Sequence, residues 1–551
     1  MNDTELKKNL WDSAVKLRGS LSAAEYKYPV LGLVFLKYVS DIFGAQRKVI
    51  EHRVAEPSSD YYVESLDVRA ELLKEWVEDR SFYAADNVFW IPPEARFETL
   101  LAQASSPDIA VKLDDAMAAI EKENDKLRGV LYRDFVRLPI DAGKIGDLLG
   151  IVGRMKFDPD QHGSRDIFGE VYEYFLGNFA LEEGQKAGQF YTPRSVVRTL
   201  VEILAPFEGR VYDPCCGSGG MFVYSERFVE VHGGRKAQVA IYGQESSATT
   251  RKLGCMNLAI RGMDYDLGAE HGDTFFKDQH PDLKADFILA NPPFNLEWDA
   301  GKLAEDKRWK YGIPPAKNAN FAWLQHMVSK LSDAGRAGIV LSNGSMSTNQ
   351  SGEGDIRAAL VKADLVECMI SLPGQLFTNT QIPACLWFLS KNKKIGKGGK
   401  HDRTRQILFI DARKLGGEQL ARTQIAFTES EIQRIAQAYH AWRGTRWAEE
   451  GNQEIPPNPP FAKGGTLPMG HDGGYQDLPG FCKSATLDEI AKHGFVLTPG
   501  RYVGAEDIAD DDEAFGEKMD RLTALLAEQL AEQAQLEQVV REKLGRLGYA
   551  V

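Results

Sequence analysis

The chain has 551 residues, 43% hydrophobic and 26% charged, the composition of a soluble globular protein with room for roughly three to four domains. Its 66 basic and 79 acidic residues leave a net charge of −13, which weighs against a protein that grips a polyanion by itself; if the substrate is DNA, a more basic partner supplies much of the grip. No apolar run approaches the ~20 residues of a membrane span, and the start, MNDTELKKNL, lacks the apolar core of a signal peptide, so a cytoplasmic protein is expected.

Residues 1 to about 150 read as helical. Thr4 caps a pattern with Leu6, Leu10, Ala14 and Leu17 at helical spacing, and Pro29 to Phe43 is apolar enough for a buried helix. Arg69 to Arg80 and Ile120 to Arg128 read as solvated helix faces. From Asp166 the pattern IFGEVYEYFLGNFA leads into Gln189-Phe190-Tyr191-Thr192-Pro193-Arg194, after which SVVRTLVEIL resumes helical spacing. Pro193 suits the first turn of that helix and Thr192 its cap, leaving free N–H groups that favour a carboxylate.

A strand at Arg210 to Tyr212 runs into Asp213-Pro214-Cys215-Cys216-Gly217-Ser218-Gly219-Gly220 and a helix from Met221 to Val231. Glycines at such a turn let backbone N–H groups approach a ligand, although the spacing is neither the dinucleotide nor the phosphate-loop pattern. Asp213 at the strand end suits a ligand bearing an ammonium group. The strand Val239 to Gly243 ends at Gln244-Glu245, where an acidic residue usually meets ribose hydroxyls. After a helix from Ala248 to Arg261, Asp273 is placed to accept from an adenine amino group, with Phe275 packed on the ring.

Phe287 to Ala290 reads as a buried strand that breaks at Asn291-Pro292-Pro293-Phe294, because two prolines cannot donate to a sheet ladder. The loop is held at the strand's carboxyl edge, where open α/β sheets bind ligands. Its chemistry suits methylation of a conjugated amino nitrogen. The Asn291 side-chain carbonyl and the Pro292 main-chain carbonyl accept the two N–H bonds, and Phe294 stacks on a flat substrate. Asn458 to Phe461 repeats NPPF with no strand before it and reads as a loop. Further helices at Phe321 to Leu331 and Ile356 to Ala363, with strands at Gly338 to Ser342, Leu365 to Leu372 and Ala384 to Leu389, make an α/β sheet the simplest arrangement. Cys215, Cys216, Cys255, Cys368, Cys385 and Cys482 show neither a CxxC pair nor zinc spacing, so reduced thiols without metal or disulfide are expected, and Cys215 and Cys216 read as small loop residues.

In this order, QFYTP, DPCCGSGG, Glu245, Asp273 and NPPF resemble the N6-adenine DNA methyltransferases that use S-adenosyl-L-methionine. The resemblance implies a doubly wound methyltransferase sheet. It places Asp213, Gly217, Ser218, Gly219, Gly220, Glu245 and Asp273 in cofactor binding, adds Gln189 to Arg194 at the methionine end, and makes Asn291, Pro292, Pro293 and Phe294 the catalytic loop. LWDSAVKLRGSLSAAEYKYPVLGLVFLKYVSDIF near the start and LTPGRYVG before a long terminal helix narrow it to the modification subunit of Type I restriction-modification systems. That implies duplex DNA as substrate, two modification subunits per specificity subunit, and a restriction subunit in the full complex. The expected layout is an N-terminal helical domain (1–150), a catalytic domain (151–445), a Pro/Gly-rich loop or insert (446–474) and a C-terminal region (475–551). In the last, Phe515, Met519, Leu522, Leu526, Leu536, Val540 and Leu547 recur near coiled-coil spacing, and the tail helix is expected to pack on a partner. A solitary adenine methyltransferase, one acting on RNA or protein glutamine, and a non-catalytic scaffold are the competing readings.

Overall fold

The structure is a computed structural model that describes residues 23–154, 192–231, 238–377, 383–396, 399–421, 424–445 and 475–504, with single positions elsewhere. The helix expected from Thr4, most of the pattern at 167–180, Gln189 to Tyr191, the Pro/Gly-rich segment with its second NPPF, and the helical tail lie outside those residues. The chain divides into two compact units, Met1–Val503 and Gly504–Val551.

The N-terminal part is helical. Helix α1 (Ala23–Ala55) buries Leu33, Val34, Phe35 and Leu36 completely, so it is apolar on every side over this stretch. Lys27, Lys37 and Asp41 interrupt its sequence. Even so, the 30 residues Tyr26–Ala55 are long and apolar enough to cross a membrane by length and composition, which the linear reading missed. Because 72% of the apolar window is buried inside the protein, α1 is a core helix. Helix α2 (Leu66–Trp76) presents mainly a solvated face, although Leu73 and Trp76 pack against the core and Val77, just after it, is buried. In contrast, Ile120 to Arg128 is not a solvated face: Ile120 and Glu121 close the buried face of α3 (Ile109–Glu123), and Leu127 is buried after it. Helix α4 (Ala142–Gly153) starts at Asp141, whose carboxylate accepts from the Lys144 N–H at 2.9 Å.

The remainder is built on one mixed sheet of nine strands. In chain order these are β1 (Gly209–Asp213), β2 (Val239–Gly243), β3 (Tyr265–Asp266), β4 (Ala285–Ala290), β5 (Leu331–Ser342), β6 (Val366–Ser371), β7 (Ala384–Ser390) and β8 (Gln406–Asp411), followed by a small β9–β10 hairpin (Glu418–Ala421 and Gln424–Ala426) and β11 (Cys482–Thr486). Their order across the large sheet is β11-β8-β6-β7-β5-β4-β1-β2-β3. Strands β3, β2, β1, β4 and β5 are parallel, and β7 enters antiparallel between β5 and β6. Residues 475–503, grouped with the tail in the linear reading, contribute β11, which pairs antiparallel with β8.

Alternate strand residues feed two apolar clusters, as the two-residue period of a strand requires. Val211, Leu289, Val340 and Phe388 join one with α5 (Arg194–Leu204), α6 (Gly220–Val231), α7 (Ala248–Ile260), α10 (Glu429–Arg443) and the N-terminal helices. Tyr212, Ile288, Ile339 and Trp387 join the other with α8 (Asn320–Lys330), α9 (Glu353–Lys362) and the stretch around Leu497 and Tyr502. Both faces are covered, giving the doubly wound α/β fold.

One buried ionic cluster ties the far half of the sheet together. Glu367 on β6 is fully buried, accepts from the Tyr439 hydroxyl of α10 at 2.7 Å, and lies 3.3 Å from Arg403 and 3.8 Å from Arg443. Burial alone would raise the pKa of its carboxyl, but Arg443, Arg403 and Arg336 hold it below the ordinary value. Removing one member of such a set strands the others without compensation, typically at a cost of about 3–5 kcal/mol. Glu367→Gln is therefore expected to lower the free energy of unfolding by about that amount in denaturant titration.

Candidate active site

The carboxyl ends of β1, β2 and β4 meet on one edge. Asp213 pairs with Gly243 in register, Tyr212 pairs with Ile288, and β4 stops at Ala290 opposite Ile339 of β5. The chain connections run outward to either side of β1 and β4, so the gap between these strands is the topological switch point, where open sheets of this kind bind ligands.

The glycine turn leaves β1 and closes against the end of β2. Gln244 N–H donates to the Asp213 carbonyl at 3.0 Å, and Cys216 N–H donates to the Gln244 carbonyl at 2.9 Å. Gly219 has φ +81°, a left-handed conformation that a side chain would strain, and the following residue starts α6. Gly254 of α7 lies so close that a Cβ would stand 2.9 Å from the Gly217 carbonyl oxygen. Asn257, also on α7 and buried, donates Nδ2 to the Ser218 carbonyl at 2.7 Å. The linear reading missed Asn257, whose only signal is a polar side chain inside the otherwise apolar stretch 255–260.

Two carboxylates face this turn. Asp213 is buried and accepts from the Cys215 N–H at 3.0 Å; burial pushes its pKa up to about 7, partly offset by that hydrogen bond, and Glu245 raises it further. Glu245, 8% exposed, accepts from Gly217 N–H at 3.1 Å and Ser247 N–H at 2.8 Å. Burial drives the Cys215 and Cys216 thiols far above their ordinary pKa, so neither is poised as a thiolate.

The Asp273 turn packs behind Glu245. Gly272 N–H donates to the Glu245 carbonyl, and buried Gln244 holds the same turn, donating to the Gly272 and Lys277 carbonyls at 2.9 and 2.7 Å. Exposed Asp273 accepts from Phe275 N–H at 2.8 Å. Phe275 does not offer a ring to a ligand: it is buried against Trp323 and Trp298, with centroids 4.4 and 5.0 Å away. The exposed ring beside Asp273 is Phe276.

The NPPF turn follows β4 directly. Asn291 Nδ2 donates to Thr192 Oγ1 at 2.9 Å, and Asn291 Oδ1 is buried with no hydrogen-bond partner. Thr192 is not the cap of the next helix. Pro193 occupies the cap position of α5, without a side-chain capping bond, and the Thr192 hydroxyl accepts from Asn291. Arg194, the first residue of α5, donates to the Tyr224 hydroxyl of α6 at 2.5 Å. Phe294 is half-buried in a T-shaped contact with Phe377, the centroids 6.0 Å apart. Asn295 adopts φ +53° and is pinned from both sides, its N–H donating to Asn320 Oδ1 at 3.2 Å and its Oδ1 accepting from Asn320 Nδ2 and Ser342 Oγ at 3.0 and 3.1 Å.

Leaving a buried acceptor unsatisfied costs about 1–3 kcal/mol, a cost that suits a position where a ligand brings the missing donor. The switch point thus combines a glycine turn, two acidic groups, and a buried amide carbonyl without a hydrogen-bond partner.

Comparison with known proteins shows the family of the chain. The profile of the N-6 DNA Methylase family matches residues 163–511, and that of the HsdM N-terminal domain matches residues 6–148. The chain is 48% identical over 449 residues to the Type I restriction enzyme HindI methylase subunit of Haemophilus influenzae, covering 80% of this chain and 93% of that protein. It is 36% identical over 553 residues to the Type I restriction enzyme MjaIX methylase subunit of Methanocaldococcus jannaschii, covering 99% and 92%. The crystal structure of the Type I restriction-modification methyltransferase subunit from Streptococcus thermophilus superposes with a TM-score of 0.70 at 25% identity, over 91% of this chain and 100% of that one. The chain belongs to the N-6 DNA methylase family, among the methylase subunits of Type I restriction enzymes.

Proposed function

We propose that this chain is the catalytic subunit of an adenine-specific DNA methyltransferase in a Type I restriction-modification complex, and that it transfers a methyl group from S-adenosyl-L-methionine to the N6 amino group of a flipped adenine. The observation that carries the reading is Asn291: its amide nitrogen is engaged by Thr192 while its carbonyl oxygen is buried and unpaired.

The residues at the switch point fit the cofactor. Asp213 is a buried carboxylate that suits an ammonium group, Glu245 suits ribose hydroxyls, Asp273 and Phe276 suit the adenine, and the Gly217–Gly220 turn permits close approach. Gln189 to Arg194 are assigned to the methionine end on the family resemblance. S-adenosyl-L-methionine supplies a sulfonium methyl as electrophile. Asn291 Oδ1 and the Pro292 carbonyl accept the two N–H bonds of the adenine amino group. That would turn the nitrogen lone pair out of the ring plane for attack on the methyl group, the surplus N6 proton then passing to water, while Phe294 stacks on the base. Pro293 keeps the loop extended. Catalysis on this account is positioning and polarisation, with no covalent enzyme intermediate.

The net charge of −13 supports a division of labour in which a separate specificity subunit, serving two modification subunits, supplies the DNA reading, with a restriction subunit completing the complex in the cytoplasm. Within the chain we assign packing to residues 1–150, catalysis to 151–445, and partner contact to the terminal helix of 475–551. The 446–474 segment is read as a loop or insert.

Purified complex carrying Asn291→Ala is expected to lose methyl transfer by at least about 100-fold with cofactor affinity within about twofold. Glu245→Ala or Gly219→Val is expected to weaken S-adenosyl-L-methionine binding by about tenfold or more in calorimetry, through a lost charged hydrogen bond or a strained turn. Retained transfer by Asn291→Ala would remove the assignment of the loop.

Affinity is also expected to depend on pH. An ammonium ligand favours ionised Asp213, whose pKa in the free protein is raised to about 7. Binding below that pH must therefore expel a proton, and affinity falls as pH drops through about 7, approaching a tenfold loss per unit. Asp213→Asn is expected to flatten this dependence while weakening binding at every pH.

A further inference from the structure

The segment between NPPF and α8 carries no motif, yet it folds into a closed loop. Ala319 N–H donates to the Leu296 carbonyl and Trp298 N–H to the Ala316 carbonyl, both at 2.9 Å. The indole of Trp298 donates to the Pro315 carbonyl at 3.0 Å. Trp298 and Trp309 then flank Phe275, so the loop that follows the catalytic turn packs on the turn that carries Asp273.

At the centre of that contact is Arg308, whose side chain is 14% exposed. Its Nη2 donates to the Phe275 carbonyl at 2.6 Å and to Asp306 Oδ2 at 2.7 Å. Nη1 donates to the Thr274 carbonyl at 3.3 Å and lies 3.1 Å from His326 Nδ1, while Nε donates to Asp306 Oδ1 at 2.9 Å. A guanidinium has five N–H bonds, and these five acceptors use all of them. His326 is fully buried; burial first, and the neighbouring Arg308 next, push its pKa down to about 3. The imidazole is consequently neutral and accepts at Nδ1, which directs the Nε2 proton to the Tyr212 hydroxyl 3.3 Å away on β1.

Asp273 has no comparable support of its own. It is exposed, and its carboxylate direction is set by the backbone N–H groups of Phe275 and Phe276, at 2.8 and 3.3 Å. The peptides that bear those N–H groups begin at the Thr274 and Phe275 carbonyls that Arg308 holds.

We propose that Arg308 is a positioning residue for the cofactor's adenine. By clamping the Thr274 and Phe275 carbonyls it fixes Asp273 and Phe276 in the orientation that receives the purine, without itself touching the cofactor. The clamp belongs to the chain segment that continues from the catalytic loop, so the adenine end of the cofactor and the target-base loop are built by one stretch of polypeptide. The inference rests on the assignment of Asp273 and Phe276 to the cofactor adenine.

The test uses the full-length chain for calorimetry with S-adenosyl-L-methionine and with adenosine, and the assembled complex for steady-state kinetics. Arg308→Ala is expected to raise the dissociation constants of both ligands by a similar factor, about tenfold, and KM for the cofactor likewise, with kcat within about threefold. Arg308→Lys is expected not to rescue, since one ammonium nitrogen cannot span both carbonyls, the imidazole and the carboxylate. Asp306→Asn keeps the shape and loosens the brace, and is expected to give a smaller rise in KM with unchanged kcat. If Arg308→Ala fails to fold, the Lys and Asn variants carry the test. Folded variants that bind both ligands like the unaltered chain, or that lose kcat with KM unchanged, would overturn the proposal. Absence of S-adenosyl-L-methionine binding by the unaltered chain would instead overturn the cofactor assignment beneath it.

Discussion

Strand β4 ends at Ala290 because the residues that follow cannot continue it. Its last pair is with Ile339, whereas β5 runs on to Ser342. Pro292 and Pro293 have no N–H to offer the ladder, and their fixed φ keeps the chain extended over the sheet edge. Asn291 is thereby left beside the ladder rather than in it, with its side chain free to reach Thr192 from the segment ahead of α5. The exit of the turn is secured separately, by the left-handed Asn295 and its bonds to Asn320 and Ser342. A loop built on two fixed ends holds the Asn291 amide more accurately than a free surface loop would, because the scaffold absorbs the ordering entropy during folding.

The edge so constructed gathers several acceptors. Asp213 and Glu245 face the glycine turn, Asp273 lies beyond, and the Asn291 carbonyl oxygen is unpaired. An acceptor-rich edge of this kind favours a cation and N–H groups from ligands. It is hostile to phosphates, as is the net charge of −13. On the proposed function, base recognition and backbone grip would separate physically, with the polyanion left to a partner.

Much of this edge was legible in the sequence, for local reasons. VAIYG and DFILA are short apolar runs ended by polar or proline residues, and the strands Val239–Gly243 and Ala285–Ala290 match them closely. Strand β5 was read only from Gly338 because its first half, Ser332 to Arg336, is polar and bulged, the register jumping between Ala285 and Phe287 of β4. Strand β11, CKSAT, has no apolar pattern and owes its conformation to pairing with β8. Helix α10 carries a capping box, Thr428 with Glu431, and a left-handed Gly444 at its end, signals that are local and readable from the sequence. The site residues missed were those whose role is tertiary. A threonine before a proline looks like a helix cap, and only the fold brings Asn291 to its hydroxyl. Phe275 and Phe276 are adjacent in an irregular turn, where no periodicity tells the buried ring from the exposed one. Arg308 sits in a loop with no pattern, and its acceptors come from three separate segments.

The central claim is that the unpaired Asn291 oxygen is the acceptor for the target amino group. The most direct measurement is a structure of the assembled complex with its duplex target and an unreactive analogue of S-adenosyl-L-methionine. The account predicts one adenine out of the stack, against Phe294, its N6 at about 3 Å from both Asn291 Oδ1 and the Pro292 carbonyl, with the Asn291 amide nitrogen still on Thr192. A flipped base whose amino group meets other acceptors, or an Asn291 amide turned so that its nitrogen faces the base, would contradict it.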